Sequence, residues 1–545
     1  MTASIAQKIL FMACVAMTLL SSLTATAPSK QSVSDPMPEA FLNKRKLPTS
    51  VATHPIKFHV DTSNVKGISA ELREYLVKLV VKEGNKVFAS KISLRNLKPT
   101  PIRGNASIKY QCGYDSIVKI PSEYGYQTYE ADFILFIATD DTGNDGTLAY
   151  ATSCYKGLKK RPIAGFAVFN PYYMKVENGK LDNDIATYVH EVLHALIFSS
   201  DLWKNFPRVN GKSQYYLSRG NHYLRGPNLL QTARDHFGCQ QLPGVPLEDD
   251  GGAGSKGGHF ERLVFGDETM VAEDVGIAKF SKMTLALLAD SQWYEIDMNK
   301  GDYYTWGKGE GCDIFMKSSS KLASVEEVCI GNNNFGCDKT FKYKMTCKGS
   351  TFTGKQEIKT KGSNCLKPNS KIYFFEHSSI NSKCQEFSYQ GTNYSACVHI
   401  KCATDDNSYT VTLGNTNTPN NSENVRYICK NENQVFRWGN SFKFKCENPK
   451  VICSSLCPKD CNHRGKCMDN GQCDCDPFYS GAICGTFNGC EGLSTATCAR
   501  VKAANNISEK KLSNSFDRTD YNPNYASLSS WNNARVLTDT GIDPK

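Results

Sequence analysis

The stretch Tyr188-Val-His-Glu-Val-Leu-His-Ala-Leu-Ile-Phe198 constrains this chain more than any other. Ile185, Val189, Val192, Leu193 and Leu196 recur at helical spacing, so the segment reads as an α-helix with one apolar stripe. His190 and His194, four residues apart, then share a face, about 40° around the axis and ~6 Å along it. Two imidazoles so placed reach one Zn²⁺ at roughly 2.0–2.1 Å. Glu191 lies one step round the helix, aside from the ligand positions, where a carboxylate suits the general base of metal-assisted hydrolysis. The His-Glu-x-x-His pattern also arises by accident on polar helix faces. A catalytic zinc takes three protein ligands and keeps one position open, so a third ligand is the deciding requirement.

Three histidines downstream are candidates. His222 precedes a polar helical segment, Pro227 to Phe237, and His236 lies near its end, and either can supply a ring nitrogen. His236 sits in Ala233-Arg-Asp-His-Phe-Gly-Cys239, which reads as a helix end and a structural position. His259 closes the glycine-rich run Asp249-Asp-Gly-Gly-Ala-Gly-Ser-Lys-Gly-Gly-His259, a turn-permissive loop able to lay a side chain against a metal. His259 is the expected third ligand. Met270 follows, and then a short core helix over Phe280 to Leu288 that ends at Ser291-Gln-Trp293.

The length of 545 residues allows two to four domains, and 40% hydrophobic with 22% charged residues is an ordinary globular balance. The net charge of +10 is spread along the chain, with short runs at Lys44-Arg45-Lys46 and Lys159-Lys160-Arg161 that read as solvated surface or a processing site. No nucleic-acid partner is expected. Lys8, the apolar run Ile9 to Leu23 and Ala25-Thr-Ala27 have the form of a secretory signal peptide over residues 1–27. With Cys14 removed in that leader, 22 of the 23 cysteines remain, an even number that suits disulfides in an oxidising compartment. Sequons at Asn105, Asn393, Asn420 and Asn506 fit a secreted glycoprotein. No transmembrane segment is expected in the mature chain.

Residues 28–50 lack periodicity and read as a short pro-segment or linker. Pro55 to Val60, Ala106 to Tyr110, Ala131 to Ala138 and Pro162 to Phe169 read as strands, and Ile68 to Val87 as an amphipathic helix. Cys112 and Cys154 can pair. This is an α+β half-domain that ends in the histidine helix.

Taken together, His190-Glu191-x-x-His194, the long insertion, Gly258-His259-Phe260-Glu261-x-Arg and Met270 resemble the leishmanolysin family of metzincin peptidases. Ala233-Arg-Asp-His-Phe-Gly-Cys239, Leu247-Glu-Asp, Leu285-Ala-Leu-Leu, Trp293-Tyr294 and Trp306-Gly-x-x-x-Gly-Cys312 look like that family too. Most metzincins place the third histidine six residues after the second, where this chain has Ser200. The leishmanolysin type interposes a large insertion, here 200–258. The resemblance, over roughly residues 50–350, implies a mixed sheet with a long active-site helix across a catalytic domain at 51–310. It implies one Zn²⁺ on His190, His194 and His259, Glu191 as base, and Met270 as the methionine turn beneath the metal. It implies hydrolysis of protein or peptide substrates, with activity falling in acid as the ligands protonate. One position departs from the family: Ile197 replaces the glycine three residues after the second histidine, so the helix is expected to run on and turn near Ser199-Ser200-Asp201.

From residue 311 to 452 the composition turns cysteine-dense and rich in Asn, Lys and Ser, which reads as a disulfide-held, mostly β and loop domain. The spacing Cys457-x3-Cys461-x5-Cys467-x5-Cys473-x-Cys475-x8-Cys484 resembles an EGF-like module at 453–485. That resemblance implies the bonds Cys457–Cys467, Cys461–Cys473 and Cys475–Cys484, and a surface for a cell-surface or matrix partner. The polar remainder, 486–545, reads as a tail with no glycolipid-anchor signal. Secretion, or association with the cell surface, is the expected location. An adhesion protein on a peptidase scaffold is the alternative to an enzyme.

Overall fold

The structure, a computed structural model, describes residues 52–316 apart from 175, 177–180, 253 and 274–277, together with separate segments between 335 and 499 and residues 536–537. The leader at 1–27, the pro-segment at 28–50, Cys457 and nearly all of the tail lie outside the described residues.

The first elements are strands β1 (Thr53–Pro55) and β2 (Phe58–Asn64). One helical run follows: α1 (Ala70–Glu74), a π-helical turn (Tyr75–Val80) and α2 (Val81–Lys91). Ser69 starts it by accepting the Leu72 amide on its hydroxyl, the usual N-cap chemistry. Tyr75, Leu76, Leu79 and Val80 are buried, the stripe that its periodicity predicts, and Phe88 beyond them is buried too. Strand β3 (Ile92–Arg95) pairs antiparallel with β1, and a ribbon of β4 (Ile102–Arg103) and β5 (Thr128–Tyr129) comes next.

The expected strand at Ala106 to Tyr110 is instead a helix, α3 (Ala106–Cys112). Asn105 decides the matter: its side-chain oxygen accepts the Ile108 amide at 3.1 Å, satisfying a free donor of the first turn. Ile108 and Cys112, four apart, are then buried on one face, while Tyr110 points outward at 80% exposure. Cys112 is bonded to Cys154, the pairing that the sequence allowed.

Strands β6 (Phe133–Thr139), β7 (Ala149–Lys156) and β8 (Pro162–Phe169) complete a four-stranded sheet in the order β2-β6-β8-β7. β2, β6 and β8 run parallel, and β7 lies antiparallel on the outer edge beside β8. β6 is covered on both faces. Phe133, Leu135 and Ile137 join the core under the helices, and Ile134, Phe136 and Ala138 join a second cluster with Ile108 and Tyr124. This explains its unbroken apolar run.

The histidine helix α4 (Leu181–Leu196) packs against α2 on the first face. After it come α5 (Ser200–Trp203), a small sheet of β9 (Tyr215–Ser218), β10 (Asn221–Leu224) and β11 (Val245–Pro246), and α6 (Pro227–Phe237). Then follow α7 (Arg262–Phe265), α8 (Lys282–Asp290) and β12 (Glu295–Ile296), which returns to pair with β3. The insertion belongs to the main core: Trp203, Leu229, Ala233 and Phe237 are fully buried in it. Cys239 is bonded to Cys312.

Beyond 335 the chain is strand-rich. A seven-stranded sheet is centred on Ser382–Tyr389 and Thr392–Cys402, with its own core of Phe387, Val398, Tyr409, Val411 and Phe444. Described bonds there include Cys337–Cys384, Cys365–Cys397, Cys402–Cys453 and Cys429–Cys446. Farther on, Cys461–Cys473 and Cys475–Cys484 are formed as expected. Asp474, between two of these cysteines, reaches the buried Lys91 of α2 at 3.6 Å. Among the described residues no helix is long and apolar enough to cross a membrane.

The α2–α4 contact rests on one missing side chain. A Cβ on Gly84 would stand 2.1 Å from Cδ1 of Tyr188, whose ring fills that space and whose hydroxyl donates to Asn85 at 2.7 Å. Alanine gains about 1 kcal/mol of helix propensity over glycine, too little to offset a clash of that depth. Gly84→Val should therefore destabilise the protein by about 1–3 kcal/mol, read as a lowered urea midpoint. An unchanged midpoint would show that the two helices are not in this contact.

Candidate metal centre

Helix α4 presents His190, Glu191 and His194 at its C-terminal end. The helix closes at Leu196, and the Ile197 and Phe198 amides both return to the Leu193 carbonyl at 2.8 Å. Ile197 is fully buried and is not among the residues with positive φ, so the glycine position of the resemblance tolerates a β-branched residue here. The turn comes slightly earlier than expected, and Ser199 serves instead as the N-cap of α5. This tight exit aims the Phe198 carbonyl back at His194, whose Nδ1 donates to it at 2.8 Å.

His259 reaches the same point from the glycine-rich loop. That loop is tied down by Glu248 N–H to the His259 carbonyl at 2.9 Å and by Gly257 N–H to the Glu248 carbonyl at 2.7 Å. Gly257 has φ of +71°, and a Cβ there would meet the His222 ring at 2.8 Å, so only glycine fits. His222 is thus a prop under the loop, hydrogen-bonded through Nδ1 to the Tyr215 hydroxyl at 2.5 Å. His236 faces the Trp306 carbonyl at 2.7 Å. Neither joins the cluster.

The three Nε2 atoms of His190, His194 and His259 form a triangle with every side 3.1 Å. Each Nδ1 faces a backbone carbonyl: Thr269 for His190 at 2.6 Å, Phe198 for His194, and Ser255 for His259 at 3.2 Å. Those carbonyls can only accept, so each ring carries its proton on Nδ1 and turns a bare Nε2 lone pair inward. Three lone pairs at this distance cannot hydrogen-bond to one another. A tetrahedral zinc with bonds of 2.0–2.1 Å would separate its nitrogens by about 3.3 Å, so the donor set fits a zinc-type cation. Sequence reasoning found the three rings and missed the three carbonyls, because backbone acceptors leave no residue-type signature.

Met270 is fully buried. Its carbonyl accepts the Phe260 amide at 2.8 Å, next to His259 in the chain, and the preceding carbonyl, of Thr269, is the one that holds His190. Glu191 is 7% exposed and lines a cleft of about 840 Å³ beside the three rings. The cleft is bounded by Leu148 to Thr152 along edge strand β7, by Gly254 to His259, and by Val271 to Glu273.

Burial sets the protonation of the cluster. It pushes the Glu191 carboxyl up to about 8. It holds His190 and His259 below the ordinary imidazole value and takes His194 down to about 3, with the neighbouring imidazoles opposing charge on His194 and His259. A lowered pKa keeps the neutral ring populated at all pH values above it. In the metal-free protein at pH 5, His194 should therefore give the NMR signature of a neutral Nδ1–H imidazole, whereas an exposed histidine is already protonated there. Titration of His194 near 6.5 would contradict this.

A family model described as leishmanolysin matches residues 60–352, more than half of the chain. A leishmanolysin-like peptidase of Drosophila melanogaster is 32% identical over 230 residues, covering 34% of this chain and 34% of that protein. The ciliated left-right organizer metallopeptidase of Mus musculus is 28% identical over 265 residues, covering 45% and 38%. Leishmanolysin of Leishmania major is 25% identical over 268 residues, covering 48% and 42%. The chain thus spans roughly a third to two-fifths of the length of these relatives. With the matched region holding the histidine helix, the glycine-rich loop and Met270, the chain belongs to the leishmanolysin family of metallopeptidases.

Proposed function

We propose that this protein is a secreted or surface-associated zinc endopeptidase acting on protein or peptide substrates. The observation that carries the reading is the triangle of three bare imidazole nitrogens, each fixed by a carbonyl behind it. His190, His194 and His259 would hold the zinc. When bound, it supplies a Lewis acid that acidifies water and polarises an amide carbonyl. Glu191 accepts the proton of the attacking water and returns it to the leaving amine nitrogen. Its burial favours the neutral acid, and a dication held by the three histidines would favour the carboxylate, two opposed influences on a group that has both to take and to give a proton.

Edge strand β7 and the loop before His259 form two walls of the cleft, between which a peptide would lie. The described disulfides support an oxidising destination for the chain. We take residues 51–310 as the catalytic domain, 311–452 as a disulfide-held domain and 453–485 as an EGF-like module. The module, supported by the Cys461–Cys473 and Cys475–Cys484 bonds, is offered as a surface for a partner outside the cell.

The test is zinc content and casein cleavage of the purified chain and two variants. Wild type should carry one zinc and cleave. Glu191→Gln should keep the zinc and lose roughly 10²–10⁴ of the rate, and His259→Ala should lose the metal. Full cleavage by Glu191→Gln would sink the assignment of the base. A wild type that binds zinc without cleaving would favour an adhesion protein on this scaffold.

A further inference from the structure

Among the buried groups that the proposed chemistry leaves unused is Glu268, whose carboxylate accepts three hydrogen bonds. Its side chain is fully buried and all of its described hydrogen bonds are made inside the fold. One carboxylate oxygen accepts the Ser281 hydroxyl at 2.9 Å and the Thr284 hydroxyl at 2.6 Å, both from the start of α8. The other accepts the backbone N–H of Met270 at 2.5 Å.

That N–H and the Thr269 carbonyl belong to a single peptide unit. The unit is planar and trans, so the two groups point in opposite directions and cannot turn independently. On its far side, the Thr269 carbonyl receives the His190 Nδ1–H at 2.6 Å. The line therefore runs from α8 through Glu268, one peptide plane and His190 to the nitrogen triangle. The same turn is secured by Thr269 N–H to the Lys279 carbonyl at 2.8 Å, and its next carbonyl, of Met270, takes the Phe260 amide beside His259. A carboxylate that hydrogen-bonds directly to a metal-binding histidine fixes the ring and raises its basicity. Here the carboxylate acts one peptide farther away, and hydrogen bonds in series strengthen one another.

We propose that Glu268 is a positioning residue for the metal centre: by holding the Met270 N–H it sets the Thr269 carbonyl that orients His190. The inference rests on the reading of the three histidines as zinc ligands. Glu268→Leu removes the acceptor with little change in volume and releases the peptide plane. Glu268→Gln keeps it, because the amide oxygen can face the Met270 N–H while the amide NH₂ faces Ser281 and Thr284, whose hydroxyls accept as well as donate.

The experiment measures zinc affinity by chelator competition, and the visible spectrum of the cobalt(II)-substituted protein, for the full chain and its variants. Metal-free melting and circular dichroism report folding alongside. Glu268→Leu should bind zinc roughly 10–100-fold more weakly with an altered cobalt spectrum, whereas Glu268→Gln should stay near wild type in both. Thr284→Val, which removes one donor to the carboxylate and leaves its shape, should shift both readouts less and in the same direction. It carries the test if Glu268→Leu does not fold. Wild-type affinity and spectrum in Glu268→Leu, or in Thr284→Val when the leucine variant is unfolded, would overturn the proposal. Equal damage by Gln and Leu would do so too, since the bond to Met270 would not be what matters. A wild type that binds neither zinc nor cobalt would instead overturn the metal-centre reading itself.

Discussion

Three nitrogen lone pairs aimed at one point are an arrangement that a protein interior does not reach by packing alone. Each ring brings a partial negative charge into a low-dielectric site, and none offers the others a proton. The carbonyls of Thr269, Phe198 and Ser255 hold the rings so that no tautomer change or flip relieves the crowding. The surrounding fold can be understood as what keeps those carbonyls in place. Tyr188 seats α4 on α2 through the gap at Gly84, the buried Ile197 closes the helix so that Phe198 turns back, and Gly257 lets the loop ride over His222. A cation bound at the centre would relieve this frustration, and its binding free energy would add to the stability of the fold.

The insertion between the second and third histidines is bound into this frame and does not hang from it. Asp290, at the end of α8, accepts the Asn228 amide at 2.9 Å and the Leu229 amide at 3.0 Å, so its carboxylate caps α6. A Cβ on Gly226 would lie 2.0 Å from that carboxylate, so glycine permits the close approach. The insertion helix α6 and the helix α8 are therefore tied together through Asp290.

What could be read in the chain follows from where the information is stored. His190, Glu191 and His194 carry their chemistry in side chains at a fixed helical spacing, and His259 is marked by the glycines before it. Strand β8 and helix α6 fall on the predicted spans because an apolar run and the Pro227–Gly238 pair of helix signals are local. α3 reads as a strand in the sequence because Ile108 and Tyr110 mimic strand alternation, and only the Asn105 cap reveals the helix. β7 escaped notice because Ala149 to Lys156 is half-exposed along its length, with no contrast between faces. The carbonyls behind the rings, and Glu268 behind one of them, were invisible for a different reason: they act through the backbone, whose direction is fixed only once the chain is folded.

The Cys239–Cys312 bond closes a ring of chain around half of the centre. Its 73-residue separation encloses the glycine-rich loop, His259, Met270 and α8, while His190 and His194 stand outside on α4. A closure of that length removes about 4 kcal/mol of disorder from the unfolded chain on the simple entropic account. The benefit falls on the segment that must travel farthest in sequence to meet its partners. Two of the three histidines are thus set by helix geometry, and the third lies inside a covalent hoop that an oxidising compartment keeps closed. In a reducing cytosol the hoop would open, and the third histidine would be held only by packing and by the hydrogen bonds of its loop.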